Sequence, residues 1–214
     1  MAAFALAHDC DEAAKATSAA NLLIFHADGR IEARNTDSIG LMESIRADMG
    51  RLDGRSVLLL GAGGAARGAI LALNALGATR IQLLNRHADK AAMLARAMQP
   101  SVKSELTPGG LDAWKDTALH ADLVINSTSA GMKGNPPLTL DLALLKPSVT
   151  VLDIVYNPLE TPLLRDAKGR GHQVIDGLGM LMHQAAPSFE AFFGVKPDVT
   201  PGLRARLIEA LSHA

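Results

Sequence analysis

The middle of the chain alternates short, uninterrupted apolar runs with stretches of helical character. Ser56-Val57-Leu58-Leu59-Leu60 is the clearest of these runs. Continuous rather than alternating apolarity predicts a strand buried on both faces, as in a parallel sheet. The run enters Gly61-Ala62-Gly63-Gly64-Ala65-Ala66-Arg67-Gly68, and Ala69-Ile70-Leu71-Ala72-Leu73 continues as a helix that Gly77 is placed to stop. Further strands are predicted at Arg80–Asn85, Asp122–Asn126, Val149–Ile154 and His172–Asp176, with helices at Ala88–Met98 and Thr161–Lys168. Strands alternating with helices imply right-handed crossovers and an α/β fold with a doubly wound parallel sheet. The flanks read differently. Residues 18–34 carry two short strands joined at Asp28-Gly29, and residues 177–214 read as helices.

Composition narrows the function classes. Of 214 residues, 48% are hydrophobic and 20% charged, which is ample for a core. Lys+Arg total 21 against 22 Asp+Glu, so there is no electrostatic footprint for nucleic acid or an anionic membrane. No apolar run approaches the ~20 residues that span a bilayer, and the N-terminus lacks the basic-then-apolar order of a secretory signal. Cys10 is the single cysteine, which leaves no internal disulfide and points to a reducing, cytoplasmic setting. With no motif around it, Cys10 reads as a buried small hydrophobe. The seven histidines show no ligand spacing, so no metal site is expected.

The first chemistry lies where the clearest strand meets its helix. Gly61-x-Gly63-x-x-Ala66 sits between a predicted strand and a predicted helix, the context that separates a dinucleotide loop from an ordinary glycine-rich turn. Its first glycine permits a tight turn and its second admits a pyrophosphate to the backbone N–H groups. The small third residue lets helix and strand close up. Gly61, Ala62, Gly63, Gly64 and Ala65 are therefore candidate cofactor contacts of a Rossmann-like domain. The second strand selects the dinucleotide. NAD-binding chains usually place Asp or Glu about 20 residues on, to accept from the ribose 2′-hydroxyl. This chain instead has Leu84-Asn85-Arg86-His87, with Lys90 following. An arginine there can hold a 2′-phosphate in fork geometry, which makes Asn85, Arg86 and Lys90 candidate NADP determinants. The competing reading makes Arg86 and Lys90 solvated charges at a helix start.

Six segments in order carry a family resemblance. They are Asn35-Thr36-Asp37-x-Ile39-Gly40, the loop Gly61 to Arg67, Asn85-Arg86, and Asp122-Leu123-Val124-Ile125-Asn126-Ser127-Thr128-Ser129-x-Gly131-Met132. Asp153-x-Val155-Tyr156-x-Pro158-x-x-Thr161-Pro162-Leu163-Leu164 and Gly177-x-Gly179-Met180-Leu181-x-x-Gln184-Ala185-Ala186 complete the set. On these segments the chain resembles the shikimate dehydrogenase family along essentially its whole length. The resemblance implies a partial substrate domain at residues 1–37, an NADP-binding domain at 38–176, and C-terminal helices at 177–214 returning to the substrate side. It implies reversible hydride transfer between NADPH and the ring carbonyl of 3-dehydroshikimate, giving shikimate on the route to chorismate and the aromatic amino acids. Asp37 would share the proton-handling site with a lysine, holding the substrate hydroxyl. Asn21 and Gln184 match the family's binders of substrate hydroxyls, and Tyr156 matches a tyrosine near the ring. Gly177 and Met180 would meet the nicotinamide, and Met180 shares a helical face with Gln184. Asn126, Ser127 and Thr128 follow a strand's carboxyl end, where open α/β sheets bind ligands. Taken without the resemblance, Asp37 reads as an N-cap for a helix starting near Ile39. Met180 is then core filler, Gln184 a surface amide and Tyr156 a packed aromatic.

The sequence also departs from the family. Ser38 stands where the family usually has glycine, Leu22 replaces a threonine, Ser18 replaces a glycine, and His87 replaces the threonine after Asn-Arg. The family's paired serines for the substrate carboxylate are not found in this sequence. Nor is its Asn-Val-Thr-x-Pro-x-Lys segment, which carries the proton-handling lysine. Met1 to Ala7 reads as the helix just after that lysine, and Lys15 lies in no such motif. The expectation is an NADP-dependent oxidoreductase of the shikimate dehydrogenase type acting on a small molecule. The alternatives are a quinate/shikimate dehydrogenase paralogue using NAD, or a catalytically impaired NADP-binding fragment without the lysine. A homodimer is left open.

Overall fold

Two sheets organise the chain, whose residues 2–212 are described by a computed structural model. The first part runs α1 (Ala2–Ala5), β1 (Asp9–Cys10), α2 (Glu12–Thr17), β2 (Leu22–Phe25) and β3 (Ile31–Arg34). β2 and β3 form the expected hairpin, antiparallel from Leu22↔Arg34 to Phe25↔Ile31. β1 adds in parallel to the far side of β3. Met1, expected in the first helix, lies outside the described residues, as do residues 213–214. Cys10 is half-buried rather than buried, because its strand is a sheet edge.

α3 (Asp37–Met49) leads into the larger sheet. There follow β4 (Ser56–Leu60), α4 (Gly64–Leu76), β5 (Arg80–Asn85), α5 (Ala88–Met98), β6 (Glu105–Gly110), α6 (Trp114–Thr117) and β7 (Leu123–Asn126). β8 (Thr150–Asp153), α7 (Pro162–Gly169), β9 (Gln173–Ile175), α8 (Gly177–Phe193) and α9 (Pro201–Ser212) complete the chain. The strands run parallel in the order β6-β5-β4-β7-β8-β9. The expected strands are present, with ends that shift by a residue at β7, β8 and β9.

The continuous apolarity of β4 follows from two covered faces. Val57 and Leu59 join Ile45 of α3, Ile70 and Leu73 of α4, and Leu94 of α5 on one side. Leu58 and Leu60 join Trp114, Val124, Val151 and Leu164 on the other. Each such side chain, fully buried, contributes roughly 1.5–3 kcal/mol. This packing fixes the strand ends that carry the site. No strand is predicted from sequence at β6, which contains Pro108, Gly109 and Gly110, residues depleted from strands. It survives because it pairs only with β5 at the sheet edge, where a missing N–H costs no ladder bond. No helix among the described residues is long and apolar enough to cross a membrane.

Candidate active site

Strand order reverses between β4 and β7, the switch point at which open α/β sheets leave a crevice. β4 ends at Leu60 and the chain turns at Gly61, whose φ of +114° suits glycine alone. Gly63 is the N-cap of α4, and no side chain bonds the first amides of that helix. Gly63 and Gly64 are exposed, so these N–H groups and the positive end of the helix dipole stand open, as a pyrophosphate requires. Beside them a cavity of about 330 Å³ is lined by Gly61, Ala62, Gly63, Asn85, Arg86, His87, Lys90, Ser127, Thr128 and Ser129. Asn85 Nδ2 donates to the His87 carbonyl at 3.0 Å and shapes the turn that carries Arg86. Arg86 and Lys90 are exposed, and no carboxylate lines this cavity to neutralise them. The open amides and these two cations fit a dinucleotide bearing a 2′-phosphate.

Ser127, Thr128 and Ser129 also border a second cavity, of about 560 Å³. Its other walls are Asp37, Ala65, Met132, Lys133, the segment from Ile154 to Asn157, Gly177, Met180, Leu181 and Gln184. Met180 and Gln184 both face it from α8, as their spacing predicts. Asp37 is not the N-cap of α3. Thr36 holds that position, and Asp37 is the first helical residue, with its side chain free for other work. Its Oδ1 accepts from Asn21 Nδ2 at 2.8 Å. The same Nδ2 lies 3.1 Å from Thr36 Oγ1 and 3.4 Å from Gln184 Oε1, while Asn21 Oδ1 accepts from the Thr36 N–H at 2.9 Å. Asn35 Oδ1 accepts from the Asp37 N–H at 3.0 Å, so the backbone beneath the carboxylate is also held. Burial raises the Asp37 pKa above its ordinary value, and the Asn21 bond opposes that rise. A half-buried carboxylate with one fixed donor can take a hydrogen bond or a proton from a bound hydroxyl.

The remaining candidates divide into walls and supports. Asn21 stands behind Asp37 and does not line the cavity; it links Asp37 to Gln184. Gly64 lies in the first turn of α4, outside both linings. Asn126 is fully buried, and its side chain is spent inside the protein. It donates to Asp153 Oδ1 at 2.9 Å and to the Ala130 carbonyl at 3.2 Å, and it accepts from the Thr128 N–H and hydroxyl. Asn126 therefore supports the wall that Thr128 forms rather than touching a ligand. Sequence reasoning missed Ser129, Met132, Lys133, Ile154, Val155, Asn157 and Leu181 as wall residues. Their signal is adjacency, since each follows a strand's carboxyl end or neighbours a motif residue.

An open parallel sheet whose switch-point crevice presents bare helix amides and two cations defines a dinucleotide-binding α/β protein. The shared wall adds a second ligand pocket, largely apolar, in which Asp37 and Gln184 are among the polar groups. Comparison with known proteins narrows the class: the chain belongs to the shikimate dehydrogenase family. The profile described as "Shikimate / quinate 5-dehydrogenase" matches residues 43–133, and that of the "Shikimate 5'-dehydrogenase C-terminal domain" matches residues 177–205. The shikimate dehydrogenase (NADP(+)) of Methylobacterium radiotolerans is 46% identical over 99% of this chain and 75% of its own. Quinate dehydrogenase from Corynebacterium glutamicum in complex with NAD superposes with a TM-score of 0.88 at 29% identity, covering 100% of this chain and 74% of that one. Shikimate 5-dehydrogenase from Thermus thermophilus in complex with NADP(H) and shikimate gives 0.80 at 30% identity, over 99% and 74%. The chain thus spans about three quarters of the length of these relatives.

Proposed function

We propose that the chain is an NADP-dependent shikimate dehydrogenase, interconverting shikimate and 3-dehydroshikimate. One observation carries this reading. Asp37, held by Asn21 beside Gln184, faces a cavity whose Ser127–Ser129 wall is also a wall of the crevice beside Arg86 and Lys90. NADP, when bound, supplies the acceptor or donor of the hydride. The amides from Gly63 to Ala65 hold its pyrophosphate, and Arg86 with Lys90 takes the 2′-phosphate. Gly177 and Met180, which line the cavity, would hold the nicotinamide, and Tyr156 would pack near the substrate ring. Gln184 orients ring hydroxyls, and Asn21 holds Asp37 and Gln184 in place from behind. The Asp37 carboxylate accepts a hydrogen bond from the reacting hydroxyl and holds its proton as the carbon gives up hydride. In this arrangement residues 2–37 and 177–212 form the substrate side around the nucleotide-binding residues 38–176.

The relatives named for NADP(+) support the cofactor, and the complex with NADP(H) and shikimate supports the pairing of ligands. Two cations and no carboxylate in the crevice lining beyond β5 favour NADP over the NAD that accompanies the quinate dehydrogenase neighbour. The test is shikimate-dependent reduction of NADP by the native protein, with NAD and quinate as comparators. The expected result is turnover with NADP and shikimate that falls by at least ~10² in Asp37→Asn, the usual contribution of a positioned acid–base group. Preference for NAD with quinate, or turnover untouched by Asp37→Asn, would overturn it.

A further inference from the structure

Asp153 closes β8, is fully buried, and has no part in the reaction as described. Its carboxylate takes three hydrogen bonds from three parts of the chain. Oδ1 accepts from Asn126 Nδ2 of β7 at 2.9 Å and from the Val155 N–H at 3.0 Å. Oδ2 accepts from Thr161 Oγ1 at 2.7 Å, and Thr161 in turn caps α7 by accepting from the Leu164 N–H at 3.3 Å. Asn126 passes the tie outward, since its Oδ1 accepts from the Thr128 N–H at 3.0 Å and the Thr128 hydroxyl at 2.7 Å. The peptide that Asp153 orients also seats α8. Gly177 packs so closely on it that a Cβ there would lie 2.1 Å from the Ile154 carbonyl oxygen. Three walls of the 560 Å³ cavity therefore take their position from one carboxylate: the Thr128 loop, the Ile154–Tyr156 loop and the start of α8.

We propose that Asp153 is a positioning residue of this site, holding the loops after β7 and β8 in register so that dinucleotide and substrate ring meet at reacting distance. The reacting distance rests on the dehydrogenase reading; the register does not. The groups that face Asp153 are an amide from β7, an N–H from its own loop and a hydroxyl ahead of α7, none of them charged. Burial accordingly pushes its pKa up to about 6, against the bonds from Thr161, Val155 and Asn126. A site that served stability alone is better filled by a packed apolar side chain than by a carboxyl group without a cation. Fixing two loops at once is what the carboxylate adds.

The test compares Asp153→Ala and Asp153→Asn with the parent chain. The readouts are NADP titration, amide hydrogen exchange at Thr128 and Val155, Tm, and kcat and KM for shikimate against pH. In Asp153→Ala, exchange at both amides should accelerate and the NADP Kd should rise by about 10-fold, one lost hydrogen bond's worth. Its kcat should fall by about 10²-fold, the cost of misplacing reacting groups by ~1 Å. Asp153→Asn keeps an acceptor for Asn126 and Val155. It should keep NADP affinity and amide protection while losing the parent's ionisation near 6 from the pH profile. Unchanged exchange and unchanged NADP Kd in Asp153→Ala, with only Tm lowered, would overturn the proposal. A parent chain that binds NADP but never oxidises shikimate would sink the dehydrogenase reading instead, and the exchange and titration arms would still decide Asp153.

Discussion

Gly40 of α3 meets Gln184 of α8 with no room for a methyl group. A Cβ on Gly40 would lie 2.6 Å from the Cβ of Gln184 and 2.8 Å from the Met180 carbonyl oxygen. This contact sets the separation of the two helices, and Asp37 begins the turn of α3 that ends at Gly40. The absence of a side chain is what brings a carboxylate and an amide from distant parts of the sequence to one cavity wall.

Gly40→Ala should therefore push α8 away from Asp37. Overpacking of this kind costs about 1–3 kcal/mol of stability. Shikimate turnover should fall by roughly 10²-fold through misplacement of Met180 and Gln184. NADP affinity should change much less, because Arg86 and the Gly61 loop lie on the far side of the shared wall. Steady-state kinetics with an NADP titration checks this, and equal losses in both would contradict it.

Cofactor choice should rest on Arg86. Arg86→Asp replaces a fork donor by an anion beside the 2′-phosphate. NADP affinity should fall by roughly 2–4 kcal/mol, a lost charge-assisted bond plus new repulsion. NAD affinity should barely move. Calorimetric titration of both cofactors separates the outcomes, and equal losses would remove Arg86 as the discriminator.

Asn21 lowers the Asp37 pKa through its 2.8 Å bond, against the larger effect of burial, which raises it. In Asn21→Ala only the raising influence remains. The acid limb of the kcat/KM profile, where Asp37 loses its charge, should move to higher pH. A limb that stays in place or moves to lower pH would show that Asp37 is not the titrating group.

Asp153 makes stability pH-dependent in a direction unusual for an aspartate. Its pKa is about 6 in the folded chain against an ordinary value of 3.8. The folded state thus binds the proton more tightly than the unfolded one. Its contribution is fully present below 3.8 and is lost as pH rises through about 6, a swing on the order of 3 kcal/mol. Asp153→Asn has no such swing, so its Tm relative to the parent should climb as pH rises through that window. Parallel curves for parent and variant would contradict the assignment.

The parallel sheet was legible because strands such as Ser56–Leu60 are buried on both faces and read as unbroken apolar runs. β6 was illegible because Pro108, Gly109 and Gly110 oppose strand propensity, and only its pairing with β5 makes it a strand. The glycine loop and Arg86 could be placed because a strand and a helix flank the one and end or begin at the other. Asp37 reads as a helix cap only without the family resemblance; the fold puts Thr36 at that position and leaves Asp37 facing the cavity. Walls such as Ser129, Met132 and Asn157 lie in irregular loops with no periodicity to betray them. Asn126 looked like a ligand contact because it ends a strand, whereas its partners Asp153 and Thr128 turn it inward. Nothing in the sequence says that Asp153 receives three donors, since they come from β7, its own loop and the start of α7.

Two cavities that share the Ser127–Ser129 wall are assigned a 2′-phosphorylated dinucleotide on one side and a polyhydroxylated ring on Asp37 on the other. A crystal structure of the protein with NADP and shikimate bound tests that assignment most directly. The 2′-phosphate is expected between Arg86 and Lys90, the pyrophosphate on the amides that open α4, and a shikimate hydroxyl within hydrogen-bond distance of Asp37 and Gln184. A 2′-phosphate directed away from Arg86, or shikimate seated away from Asp37, would contradict it.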